Sequence, residues 1–144
     1  MNVANSEIDR HRHDGYLSVI GTYADPLGQA LVAMATAAGK AARSREPSDF
    51  LIAVAAMNQV RERAATFLDQ LASAGSPDYL RGADSQLQDA LKLLMDGGSR
   101  GASAATKLEA TQLTAAASEM EVANRDIIAA ASRIANWRSG AARP

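Results

Sequence analysis

The residue types best suited to catalysis or metal binding are scarce in this sequence and stand apart from one another. The chain has 144 residues and no cysteine, which excludes thiolate nucleophiles, disulfides and cysteine-based metal sites. Its two histidines, His11 and His13, lie in the polar segment at residues 1–14. An extended His-x-His pair can chelate zinc, copper or nickel. Because Arg10 and Arg12 flank the pair and oppose a cation, we predict a solvated tail with no metal site.

Catalysis by histidine or by paired carboxylates is not expected either. A Ser-His-Asp triad or a histidine base would have to recruit side chains from a flexible arm, and the Glu-x-x-His pattern of di-metal bundles is absent. Two carboxylates, Asp84 and Glu109, lie near apolar helix faces. We expect them to pair with the basic neighbours Arg81 and Lys107, with a functional carboxylate as the alternative. The sequence therefore predicts a protein that is not an enzyme and binds no cofactor.

A glycine-rich segment at residues 97–101 resembles an anion-binding loop in composition only. Backbone N–H groups at the start of a helix attract anions, and a helix is predicted to follow this segment. The segment lacks the Gly-Lys-Ser/Thr ending and the preceding strand of a phosphate loop. We predict a flexible turn between two helices.

Helical periodicity dominates from Tyr16 to Trp137, and no run of alternating β-branched residues competes with it. Breaks at residues 45–48, 74–77 and 96–101 separate four segments whose apolar residues are spaced three and four apart. We predict an all-α protein, an antiparallel up-down-up-down four-helix bundle with a flexible N-terminal arm. The predicted arm is residues 1–14 and the bundle is residues 15–140, with helices at about 16–43, 48–74, 77–96 and 102–138.

Small residues at seven-residue spacing predict that the first and fourth helices form the tightest pair of the bundle. Alanine accounts for 32 residues of the chain, and small side chains let helix axes approach closely. The residues predicted to pack in this way are Gly21, Gly28, Ala35 and Ala42 on the first helix and Ala116, Ala123 and Ala130 on the fourth. Pro26 lies opposite the apolar seam of the first helix and is expected to kink that helix rather than to start it.

Five of the six aromatic residues fall at one end of the predicted bundle. They are Tyr16, Tyr23, Phe67, Tyr79 and Trp137. An aromatic-lined end is suited to an apolar small molecule or to the helix of a partner. The alternative, which we favour, is that the rings plug the open end of a core built from alanine and leucine.

Charge and hydropathy limit the partners. With 15 basic and 16 acidic side chains, the chain has no concentrated basic face for nucleic acid. The longest charge-free run, residues 26–39, is too short for a membrane span. The N-terminus lacks an apolar signal core, so the cytoplasm is the default compartment, although a mature exported domain without its leader would show the same pattern.

The function predicted from these features is a non-enzymatic interaction or structural module. It would self-associate as a homo-oligomer or dock a helical protein, because its stripes of small residues exceed what one tight helix pair needs. The alternative is a small-molecule-binding or sensory bundle that uses the aromatic end.

Overall fold

Four helices make up almost all of the described chain. The structure, a computed structural model, describes the backbone of residues 3–136 and the side chains of residues 11–136. The helices are α1 at Val3–Ser44, α2 at Pro47–Ala74, α3 at Arg81–Thr106 and α4 at Ala110–Asn136, with a short 3-10 turn at Asp78–Leu80 before α3. No strand occurs within the described backbone. Each helix packs against the next, and α1 also contacts α4, which confirms the predicted all-α four-helix bundle.

The connections between the helices follow from local backbone chemistry. Arg45, with φ of 57°, and Gly75, with φ of 70°, stop α1 and α2 in the left-handed region, and their N–H groups donate to Ala41 and Leu71. Pro47 is the first residue of α2, where a missing N–H costs no hydrogen bond. These short connections force consecutive helices to run antiparallel.

The core lies between the four apolar seams. Each large side chain buried there contributes about 1.5–3 kcal/mol. The largest fully buried side chains are Tyr16, Leu27, Met34, Phe50, Met57, Phe67, Leu71, Leu87, Leu91, Leu94, Leu113 and Met120.

The first helix is longer than the sequence predicts. α1 begins at Val3, so the segment predicted as an arm at residues 1–14 is helical from Val3 onward. The polar residues of this segment lack apolar periodicity, but no proline interrupts them. His13 of α1 contacts Tyr79 in the 3-10 turn, and Tyr16 contacts Asp84 of α3. The helix also continues through Pro26 rather than starting there.

The glycine segment predicted as a turn lies inside α3. This helix extends to Thr106, so the predicted boundaries at residues 96 and 102 are wrong. Gly97 and Gly101 are buried, and a Cβ at Gly101 would lie 2.5 Å from the Met57 Sδ of α2. A Cβ at Gly97 would lie 2.6 Å from the Met120 Cγ of α4. Because Gly97 and Gly101 have no side chain, α2 and α4 can pack close to α3 at these positions. The packing offsets the helix-propensity cost of about 1 kcal/mol for each glycine.

The closest packing therefore involves α3, and the prediction that the first and fourth helices form the tightest pair is wrong. Of the adjacent helix pairs, α1 and α4 contact each other least. A Cβ at Gly21 or Gly28 would have no atom within 4 Å among the described residues, so neither glycine marks a close helix contact. Ala35 and Ala42 are half-buried. On α4 the buried residues of the predicted set are Ala116, Ala123 and Ala130.

Candidate functional site

A polar cluster lies at the end of the bundle where α1 passes the start of α3. His13 is buried, with 3% of its surface exposed, and stacks on Tyr79 with the ring centroids 5.8 Å apart. The His13 Nδ1 and the Tyr79 hydroxyl are 3.1 Å apart, within hydrogen-bond distance. The sequence predicted His13 to be a solvated tail residue, and the structure corrects this because α1 carries it into the bundle.

One helical turn further along α1, Tyr16 is fully buried and donates a hydrogen bond from its hydroxyl to a carboxylate oxygen of Asp84. The Nε2 of Gln88 donates to the other oxygen of Asp84 at 2.8 Å. The predicted pair of Asp84 with Arg81 does not form, since Arg81 binds Asp78 at 3.2 Å. Asp84 is thus held between two neutral donors on α1 and α3.

The surroundings of Tyr16 determine its acid–base behaviour. Burial raises the pKa of the Tyr16 hydroxyl well above its usual range, and the hydrogen bond and negative charge of Asp84 raise it further. Tyr16 therefore remains a protonated donor at any physiological pH. Within residues 11–136, no group of three or more histidine and carboxylate side chains is placed to hold a metal ion.

The five aromatic residues predicted to line one end of the bundle do not form a single group in the structure. Tyr16 and Tyr79 belong to the polar cluster, and Tyr79 is 38% exposed. Tyr23 is half-buried and packs on the buried Phe67 with ring centroids 6.2 Å apart. Trp137 lies outside the described residues.

Sequence reasoning missed two members of the cluster, His13 and Gln88. A signal for His13 was present, because it precedes Tyr16 by three residues and so lies on the same face of a helix as the buried seam. Gln88 lies four residues after Asp84, the spacing at which helical side chains meet.

A second feature is a recess on the outer side of α3 and α4. Two contacts connect these antiparallel helices there: Arg133 donates to Gln86 at 2.7 Å, and Arg100 forms an ion pair with Glu119. Between the two contacts lies an open recess of about 280 Å³. Its lining residues are Leu93, Arg100, Glu119, Val122, Ala123 and Asp126.

The recess combines apolar side chains with negative charge. Leu93 and Val122 are each 54% exposed. Arg100 also binds Asp96 at 3.0 Å, and the hydrogen bond to Glu119 raises the pKa of Arg100. Within the described side chains, Asp126 forms no ion pair. Among the lining residues, one arginine against Glu119 and Asp126 leaves a net charge of −1.

No protein family, curated protein or solved structure is significantly similar to this chain. Over the described residues, none of the helices has the length and apolar character required to cross a membrane.

Proposed function

We propose that this chain is a non-enzymatic interaction module that docks a helical protein through the recess between α3 and α4. The observation that carries the proposal is the pair Leu93 and Val122, two large apolar side chains that are half exposed and line one recess. Single apolar residues on a surface are ordinary. Two that share a groove form a contact that the apolar face of a helix can cover.

The dimensions of the recess favour a partner's side chain over a free small molecule. Pockets that enclose drug-sized ligands have volumes of roughly 300–1,000 Å³ and surround most of the ligand. At about 280 Å³ and open to solvent, this recess suits one or two side chains projecting from a docked helix. The alternative of a small-molecule site at the aromatic end has less support, since Tyr16 and Phe67 are already fully buried in the core.

The polar cluster supports a role without catalysis. Both oxygens of Asp84 accept hydrogen bonds, from Tyr16 and from Gln88, so the carboxylate is engaged in connecting α1 to α3. A general base must lie within hydrogen-bond reach of a substrate proton, whereas Asp84 is half-buried and lies against the fully buried Tyr16. The cluster is therefore best explained as an anchor for α1.

The proposal is tested by measuring association of the purified protein with itself and with helical peptides. Three peptides of about 18 residues, long enough to form a helix, carry leucine at every third or fourth position and differ only in flanking Lys, Gln or Glu. We expect at least one peptide, or a second copy of the chain in sedimentation equilibrium, to bind. Binding should weaken in the Leu93→Ser, Val122→Ser double variant.

The chain offers a matched control for this variant. Leu51 and Val32 are the same residue types, with 71% and 68% exposure, and lie on α2 and α1 away from the recess. The Leu51→Ser, Val32→Ser double variant should bind like the wild type. A chain that stays monomeric at all concentrations and binds none of the three peptides would contradict the proposed function.

A further inference from the structure

We infer that the recess between α3 and α4 selects a basic amphipathic helix, with an apolar side chain seated between Leu93 and Val122 and a lysine or arginine on Asp126. This inference rests on the proposed docking function and adds the chemical class of the partner. It follows from the pattern of contacts along the two helices.

Two rungs, each a contact between a side chain of α3 and one of α4, lie fourteen residues apart along each helix. Gln86 on α3 meets Arg133 on α4, and Arg100 meets Glu119. Seven residues from each of these lie Leu93 and Asp126, which line the recess between the two rungs. In each of the two outer rungs an arginine pairs with an acceptor on the other helix. At the position between them, Leu93 has no donor that could pair with the carboxylate of Asp126.

The middle rung is therefore open and presents two unlike groups side by side. Leu93 supplies an exposed apolar surface, and Asp126 supplies a carboxylate that forms no ion pair within the described side chains. A partner that covers Leu93 would remove water from Asp126 as well, so it must bring a positive charge to compensate the carboxylate.

Charge also decides between a separate partner and a second copy. The lining residues carry a net charge of −1, and Asp126 forms no ion pair within the described side chains, so the recess attracts a basic helix. Two copies that packed recess against recess would bring these like charges together, which is unfavourable. The occupant is thus a different helix, and a second copy at this recess is an outcome that the test must detect.

An ordinary helix has the required geometry. An apolar residue and a lysine or arginine three or four positions apart lie on one face, with Cβ atoms about 5–6 Å from each other. This places one side chain over Leu93 and Val122 while the other reaches Asp126, in the manner of a helix seated in a groove.

The test uses the three peptides with Lys, Gln or Glu flanks and measures their dissociation constants by fluorescence anisotropy. We expect the lysine peptide to bind tightest. The Asp126→Asn variant should bind it about three- to fivefold more weakly, which is the range of one surface ion pair. The matched control is Glu121→Gln, which removes the same charge from an exposed position of α4 outside the recess and should leave binding unchanged.

The possible outcomes separate this inference from the function on which it rests. Three results would overturn the basic-partner inference while the docking function stands. They are equal binding of the Lys and Gln peptides, equal weakening by Asp126→Asn and Glu121→Gln, and a dimer that Leu93→Ser disrupts. No binding of any peptide by a monomeric chain would remove both. Circular dichroism of each variant checks that helix content is retained.

Discussion

Tyr16 connects two segments that lie 68 residues apart in the sequence. Its ring fills the core and its hydroxyl reaches the half-buried Asp84, so a single side chain supplies both apolar burial and a hydrogen bond to a charged group. A hydrogen bond to a charged group contributes about 1.5–3 kcal/mol. Gln88 occupies the second oxygen of Asp84, which explains how the carboxylate is tolerated inside the bundle.

The raised pKa of Tyr16 predicts how stability depends on alkaline pH. In the unfolded chain this hydroxyl titrates near pH 10, whereas the folded chain keeps its proton to higher pH. The contribution of Tyr16 is therefore fully present below about pH 10 and is lost above it, by up to about 1.4 kcal/mol per pH unit. In urea titrations at several alkaline pH values, the Tyr16→Phe variant should lose less stability with rising pH than the wild type.

Tyr23→Phe is the control for this measurement, because Tyr23 packs against Phe67 and its hydroxyl makes no hydrogen bond within the described side chains. Its stability should fall with pH as the wild type does. Parallel curves for Tyr16→Phe and the wild type would show that burial of Tyr16 does not keep its proton bound.

At the level of single residues, the sequence identified Tyr16, Tyr79 and Asp84 as candidates but did not predict which residues they contact. Periodicity assigns a residue to a helix face, whereas a contact between α1 and α3 depends on how far one helix extends along the other. His13 was missed for the same reason, since its burial depends on α1 continuing past the seam that defined the predicted helix.

Among the elements, α3 departs from its predicted bounds at both ends. The prediction ended the third helix at Asp96 because Gly97 suits the left-handed conformation of a helix C-cap. Yet the spacing of Leu94, Gly97, Gly101 and Ala104 continues the alternation of three and four residues, and all four residues are buried. A glycine in a helical seam can mark a close approach of two helices, and composition alone does not distinguish this from a turn.

Gly101 gives a direct test of close packing in α3. A Cβ there would lie 2.5 Å from the Sδ of Met57, a fully buried side chain that has little room to move. We expect Gly101→Ala to lower the free energy of unfolding by about 1–2 kcal/mol, since overpacking outweighs the gain in helix propensity. Urea denaturation followed by circular dichroism measures the change.

Gly21→Ala in α1 is the comparison, since the same substitution there meets open space. It should raise the free energy of unfolding by up to about 1 kcal/mol through helix propensity alone. A loss of stability at Gly21 would instead support the close packing of α1 on α4 predicted from the sequence. A gain at Gly101 would contradict the tight contact between α2 and α3.

At the scale of the whole molecule, four apolar seams and short connections were enough to predict the bundle. They did not predict which helix pair packs most tightly, because small residues permit a close approach without requiring it. α1 has 42 residues against 27 in α4, and it contacts α4 less than it contacts α2. The polar cluster of His13, Tyr16, Tyr79, Asp84 and Gln88 joins the N-terminal half of α1 to the 3-10 turn and to α3.

This distribution of contacts predicts that the bundle opens first at the N-terminal half of α1. Gly21 marks no close helix contact among the described residues, and Pro26 removes one backbone hydrogen bond of the helix. In native-state hydrogen exchange, amides at residues 17–25 should open with a lower free energy than amides at residues 94–105 of α3. Tyr16→Phe should lower the first value further, by about 1 kcal/mol or more. If both segments exchange with the same free energy in both proteins, α1 is bound as firmly as α3, and the bundle unfolds as one unit.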